Sequence, residues 1–98
     1  MMRNEVIELV ALGPMPDEDG EEEAISAWEN GLKMIQRPLT HDEAAALAKC
    51  FPPDLGYGMG WSLLHLVESA PDWSSIAHTI NTEEWRNRAL KRIANAQE

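Results

Sequence analysis

The side chains best equipped for chemistry lie in one stretch, "GYGMGWSLLHLVESAPDW", where Ser62, His65 and Glu68 follow one another at three-residue intervals. That spacing places neighbours on one helical face. A nucleophile, a base and a carboxylate to fix the base's tautomer can therefore be drawn in line. A working triad also needs an oxyanion hole and in-line geometry, which neighbours on a single helix do not supply. No catalytic residue is assigned on this pattern. As metal ligands, His65 and Glu68 are two members of a larger set, which bundle carboxylate sites complete with further helical Glu. His41, His78 and Cys50 stand apart, with no Cys-x-x-Cys or His-x-x-x-His spacing, so neither a metal nor a cofactor is expected. Gly56, Gly58 and Gly60 alternate ahead of the helix in the manner of a phosphate cradle. The strand before and the Lys after that such a cradle requires are missing. Their expected role is a tight lead-in loop that folds Tyr57 and Met59 back over the helix.

Wound as a helix, the same stretch separates into two faces. Leu63, Leu64, Leu66, Val67 and Ala70 share one broad arc, while Trp61, Ser62, His65, Glu68 and Ser69 share the other. His65 thus belongs beside a tryptophan and a carboxylate rather than among leucines. Trp28 and Trp85 sit on apolar stripes and are assigned to the core. Trp61 on the polar arc and Trp73 after Pro71-Asp72 are open to either reading: packing against other helices, or exposed aromatics of the kind enriched at binding hot spots. The candidate binding surface is Tyr57, Trp61, His65, Glu68 and Trp73.

The elements that must hold this surface are helical nearly throughout. Ile25, Trp28, Leu32 and Ile35 mark the buried stripe of a helix from Asp19 to Gln36, closed by Pro38. Thr40 and Glu43 form a Ser/Thr-x-x-Glu capping box at the start of a short helix that ends near Cys50 and is stopped by Pro52-Pro53. A similar opening at Asn81-Thr82-Glu83-Glu84 begins a last helix with Trp85, Ala89, Ile93 and Ala96 on one side. Asn4 to Leu12 fits helix or strand, with Val6 and Val10 at helical spacing. No run alternates in the manner of a half-buried strand and no hairpin dipeptide occurs. The expected fold is all-α, a single compact domain over residues 1–98 with five or six short helices.

Size and charge narrow the function. The 98 residues suffice for one core. One cysteine cannot form an internal disulfide. The N-terminal apolar run, interrupted by Glu5 and Glu8, is too short and too charged for a signal peptide, and no stretch is long enough for a membrane span. A cytoplasmic protein with no membrane association is expected. Seventeen acids against eight bases give a net charge of −9, which argues against nucleic acid as a partner. Seven of the acids fall between Asp17 and Glu29, while Arg86, Arg88, Lys91 and Arg92 gather near the C-terminus. This distribution suits helix-end electrostatics, and equally a surface that steers a basic protein partner.

The segment "GWSLLHLVESAPDW", with "GPMP" near the N-terminus and "PLTHDEAAAL" upstream, resembles a group of small acidic bacterial proteins of unassigned function. That group is marked by a Trp-Ser/Thr-Leu-Leu-His-Leu-Ile/Val-Glu-Thr/Ser-Ala-Pro-x-Trp signature, matched here from Trp61 to Trp73. The resemblance covers Gly13 to Trp73. It implies a bacterial cytoplasmic setting and carries no reaction. The leading expectation is a small protein-binding domain, immunity- or antitoxin-like, that masks a basic partner. Two alternatives stand beside it: a small-ligand binder or enzyme with a Tyr57/Trp61/His65/Glu68/Trp73 pocket, and a homo-oligomer with the Trp61 face as its contact.

Overall fold

The capping box at Thr40 is formed in full in the computed structural model, which describes residues 2–96 apart from the side chains of Tyr57 and Ala96. The Glu43 amide donates to Thr40 Oγ1 at 3.2 Å and the Thr40 amide donates to Glu43 Oε1 at 2.8 Å. This box opens α3 (His41–Leu47). It is flanked by α1 (Asn4–Ala11), α2 (Glu22–Met34), α4 (Met59–Glu68), α5 (Trp73–Ile76) and α6 (Glu83–Ala96). Short 3-10 turns occupy Gly56–Gly58 and Ala77–Thr79, and no strand occurs among the described residues. The all-α class is therefore established.

Local chemistry accounts for where the helices start and stop. The Asn4–Leu12 segment is helical, and Leu9 joins Val6 in the core while Val10 is only partly covered. Helix α2 starts later than its stripe suggests because the Asp17 carboxylate accepts the Asp19 amide and the Asp17 carbonyl accepts that of Gly20. That local turn competes with helix. At the other end Ile35 takes extended backbone, yet its side chain stays buried, so the apolar stripe outlives the helix by one residue. Helix α6 repeats only half of the box. Thr82 Oγ1 accepts the Trp85 amide at 3.2 Å, but the third position is Trp85 and offers no carboxylate in return. Asn81 does something else: its side chain accepts from the Phe51 amide and donates to the Phe51 carbonyl, at 2.9 and 3.0 Å. This clamps the Pro52-Pro53 loop to the start of α6.

Two buried knots fasten the helices together. The first is Glu43, which is fully buried. Besides Thr40, its carboxylate accepts from the backbone amide, Nε and Nη2 of Arg3 at 2.9, 2.9 and 3.0 Å. Arg3 Nη2 also donates to the Pro38 carbonyl. The start of α1 and the link between α2 and α3 are thus held on one carboxylate. The Arg3 hydrogen bonds outweigh burial and, helped by the two backbone amides, hold Glu43 down at about 2 against its ordinary 4.5.

The second knot is Trp85, fully buried with its indole N–H on the Asp54 carbonyl at 3.0 Å. Phe51 lies against it at 5.4 Å between ring centroids. Gly60 of α4 meets it so closely that a Cβ there would come within 2.8 Å of Cη2 and 2.9 Å of Cε2. Gly58, with φ of +88°, makes the turn that delivers α4 to this contact.

Two outcomes follow. Glu43→Ala strands two backbone amides and the Arg3 guanidinium, and should cost about 2–4 kcal/mol in urea titration. Because the native carboxyl is depressed, its stabilisation is complete above the ordinary 4.5 and is lost as pH falls toward 2. The wild type should therefore lose stability through that window and Glu43→Ala should lose markedly less. Gly60→Ala drives a methyl into the Trp85 ring and should lower stability by about 1–3 kcal/mol; an unchanged melting curve would contradict the close approach.

Candidate functional site

Helix α4 has the two faces its sequence implies. Leu63, Leu64, Leu66, Val67 and Ala70 are all buried, whereas Ser62 and His65 are exposed and Glu68 and Ser69 are half-buried. Trp61 divides its ring between the two. It is 36% exposed and stands edge-on to Trp85, with centroids 5.2 Å apart and planes at 78°. The Arg88 guanidinium lies 4.6 Å from the Trp85 ring centre and 5.9 Å from that of Trp61. Trp61 therefore extends the core outward, under a cation that takes part of its π-surface. His65 is next to it, with ring centroids 6.4 Å apart.

The expected contact between His65 and Glu68 is displaced by a longer-range one. Arg92 of α6 donates through Nε to Glu68 Oε1 at 2.9 Å. A guanidinium delivered by a packed helix competes for that carboxylate against an exposed imidazole, and the charge-assisted bond to arginine takes it. The Ser62-His65-Glu68 line thus has its acid committed elsewhere. Among the described residues, no three His, Cys, Asp or Glu side chains converge as a metal centre.

His65 and Glu68 do share a surface hollow of about 240 Å³, completed by Arg37, Ser69 and Arg92. Glu68 and Arg92 also line a second hollow of about 390 Å³ with Trp73 and Asn95, so the two hollows adjoin along that ion pair as one trench. Of the five residues singled out in the sequence, three thus border this trench: His65, Glu68 and Trp73. Trp61 borders neither hollow and faces Trp85 and Arg88. The side chain of Tyr57 lies outside the described residues. Sequence reasoning passed over Arg37, Arg92 and Asn95 as site residues, and no local signal marks them. They arrive from the link after α2 and from the last turns of α6.

A third concavity, of about 290 Å³, lies between α1 and α2. It exists because Gly31 lets the helices close together: a Cβ on Gly31 would come within 2.6 Å of Leu9 Cδ1. Leu9, Leu12, Ala27 and Met34 form its apolar lining, and Glu5 and Glu8 supply carboxylates. Leu12 is 53% and Met34 67% exposed, and Ile7, also on α1, is 46% exposed. These are three of the five large apolar side chains that stand exposed among the described residues. The acidic run from Asp17 to Glu29 is conspicuous in the sequence, but this groove is not, because the Asn4–Leu12 segment fits helix or strand there.

The chain matches no family model, no curated protein and no solved structure. No helix among the described residues is long and apolar enough to cross a membrane.

The exposure of His65 makes a direct forecast. His65→Ala removes an exposed ring and no core volume, so its thermal unfolding should match the wild type within about 0.5 kcal/mol. A larger loss would make the imidazole a structural bridge rather than a surface group.

Proposed function

We propose that this chain is a small acidic protein-binding domain, immunity- or antitoxin-like, that masks a basic partner. In this reading the partner presents a basic amphipathic segment to the groove between α1 and α2. The observation that supports it most is the pairing in one place of an exposed apolar lining, Leu12 and Met34, with two carboxylates, Glu5 and Glu8. Contiguous exposed apolar surface edged by polar groups is the usual mark of an interaction site. A groove between helices accepts the apolar face of an amphipathic helix. Its carboxylates, with a net charge of −9 behind them, favour lysine and arginine on the flanks of that helix and speed its approach. The likeness to small acidic bacterial proteins belongs to the same proposal, as does a bacterial cytoplasmic setting.

The test begins with capture of a partner from cell lysate on immobilised wild-type protein and continues with titration of the purified partner. Met34→Asp should weaken the complex by about tenfold or more, an effect of the size expected at an interface hot spot. Met34 is largely exposed, so the variant should keep the wild-type melting curve. A basic partner that binds Met34→Asp and Leu12→Asp as tightly as wild type would overturn the assignment of the groove.

A further inference from the structure

The hollow at the C-terminal end of α4 has a different chemistry from the rest of this acidic surface. We propose that it binds a small oxyanion, the phosphate or carboxylate group of a ligand, between Arg37, His65 and Arg92. The site is separate from the α1–α2 groove and does not depend on its function.

The argument starts with Arg37. Among the described residues the other arginines have partners: Arg3 on Glu43, Arg86 on the Ile80 carbonyl, Arg88 beside Glu84 and over two indole rings, and Arg92 on Glu68. Arg37 alone makes no hydrogen bond or ion pair among them, although acids outnumber bases seventeen to eight in the chain. Its backbone is nevertheless held in place from the residues that follow. The Pro38 carbonyl accepts from Arg3, the Leu39 amide donates to Ser69 Oγ at 3.1 Å, and the Thr40 amide donates to Glu43. Three consecutive residues are therefore pinned, and the arginine just before them borders the hollow with its guanidinium unspent.

The remaining walls complete the site. Arg92 uses Nε on Glu68, and its two terminal nitrogens make no hydrogen bond among the described residues. Arg37, Arg92 and His65 thus line a space of about 240 Å³ with one acidic residue, Glu68, and that carboxylate is already paired. Planar guanidinium forks match the oxygens of phosphate and carboxylate, and that of Arg92 is already held by Glu68 before a ligand arrives. The size of the hollow suits one such group rather than an extended polyanion, which the overall negative charge would repel.

The experiment is nuclear magnetic resonance of the isotopically labelled full chain, titrated with inorganic phosphate, with acetate, and with chloride at matched ionic strength. Saturable shifts at the His65 ring, the Ser69 amide and the Arg37 and Arg92 Nε–H groups are expected with phosphate. Shifts with phosphate alone would identify a phosphate-bearing ligand, and equal shifts with acetate would identify a general oxyanion site; both support the proposal. Arg37→Gln should weaken phosphate binding about tenfold with an unaltered melting curve, because its side chain is exposed and takes no part in the fold. No saturable shift, the same shifts with chloride, or undiminished binding by Arg37→Gln would each overturn it.

Discussion

One buried carboxylate organises the N-terminal half of this protein. Glu43 is removed from water, and a bare carboxylate there would cost several kcal/mol. Its charge is tolerated because donors from Arg3 and Thr40 converge on both oxygens. That requirement brings together segments 40 residues apart in sequence. It sets the starting point of α1, the path of the chain from Pro38 to Thr40 and the first turn of α3 at once. The consequence reaches the surface. With Leu39 tied to Ser69 and Thr40 tied to Glu43, the preceding Arg37 is carried to the end of α4.

The C-terminal half is organised by shape. Trp85 fills the space between α4 and the Phe51–Asp54 loop, and it can do so because Gly60 leaves its ring room. Packing at this density admits few alternatives, so the rotation of α4 follows from the tryptophan. Once its leucines turn inward, His65 faces out, Trp61 straddles the edge of the core against Trp85, and Arg92 of α6 pairs with half-buried Glu68. Both hollows of the trench are bordered by that ion pair.

The charges are divided between surfaces in a way the net value conceals. Glu5 and Glu8 border the α1–α2 groove, while Arg37, His65 and Arg92 border the hollow at α4 beside one carboxylate, Glu68, that Arg92 already pairs. A chain carrying −9 overall thus presents both signs of field within one small fold. The two surfaces share no lining residue.

Much of this architecture was legible in the sequence, and the legible part is local. The all-α class, the box at Thr40 and Glu43, and the separation of α4 into a leucine face and a Trp61/His65/Glu68 face depend on residues within a turn or two of each other. For these, spacing along the chain stands directly for position in space. The segment Asn4–Leu12 was ambiguous because eight or nine residues with few periodic positions fit either period, and packing of Val6 and Leu9 decided for helix. What the tertiary structure alone decided is which partner each side chain meets. Periodicity says that Glu68 faces outward, but not that Arg92, 24 positions on, will take it from His65. It says that Thr40 caps a helix, but not that Arg3 will complete the burial of the carboxylate. Arg37 at the trench and the groove opened by Gly31 under Leu9 belong to the same class. Helical faces follow from nearest neighbours, while sites form where faces from distant segments are brought together by the burial of a common core.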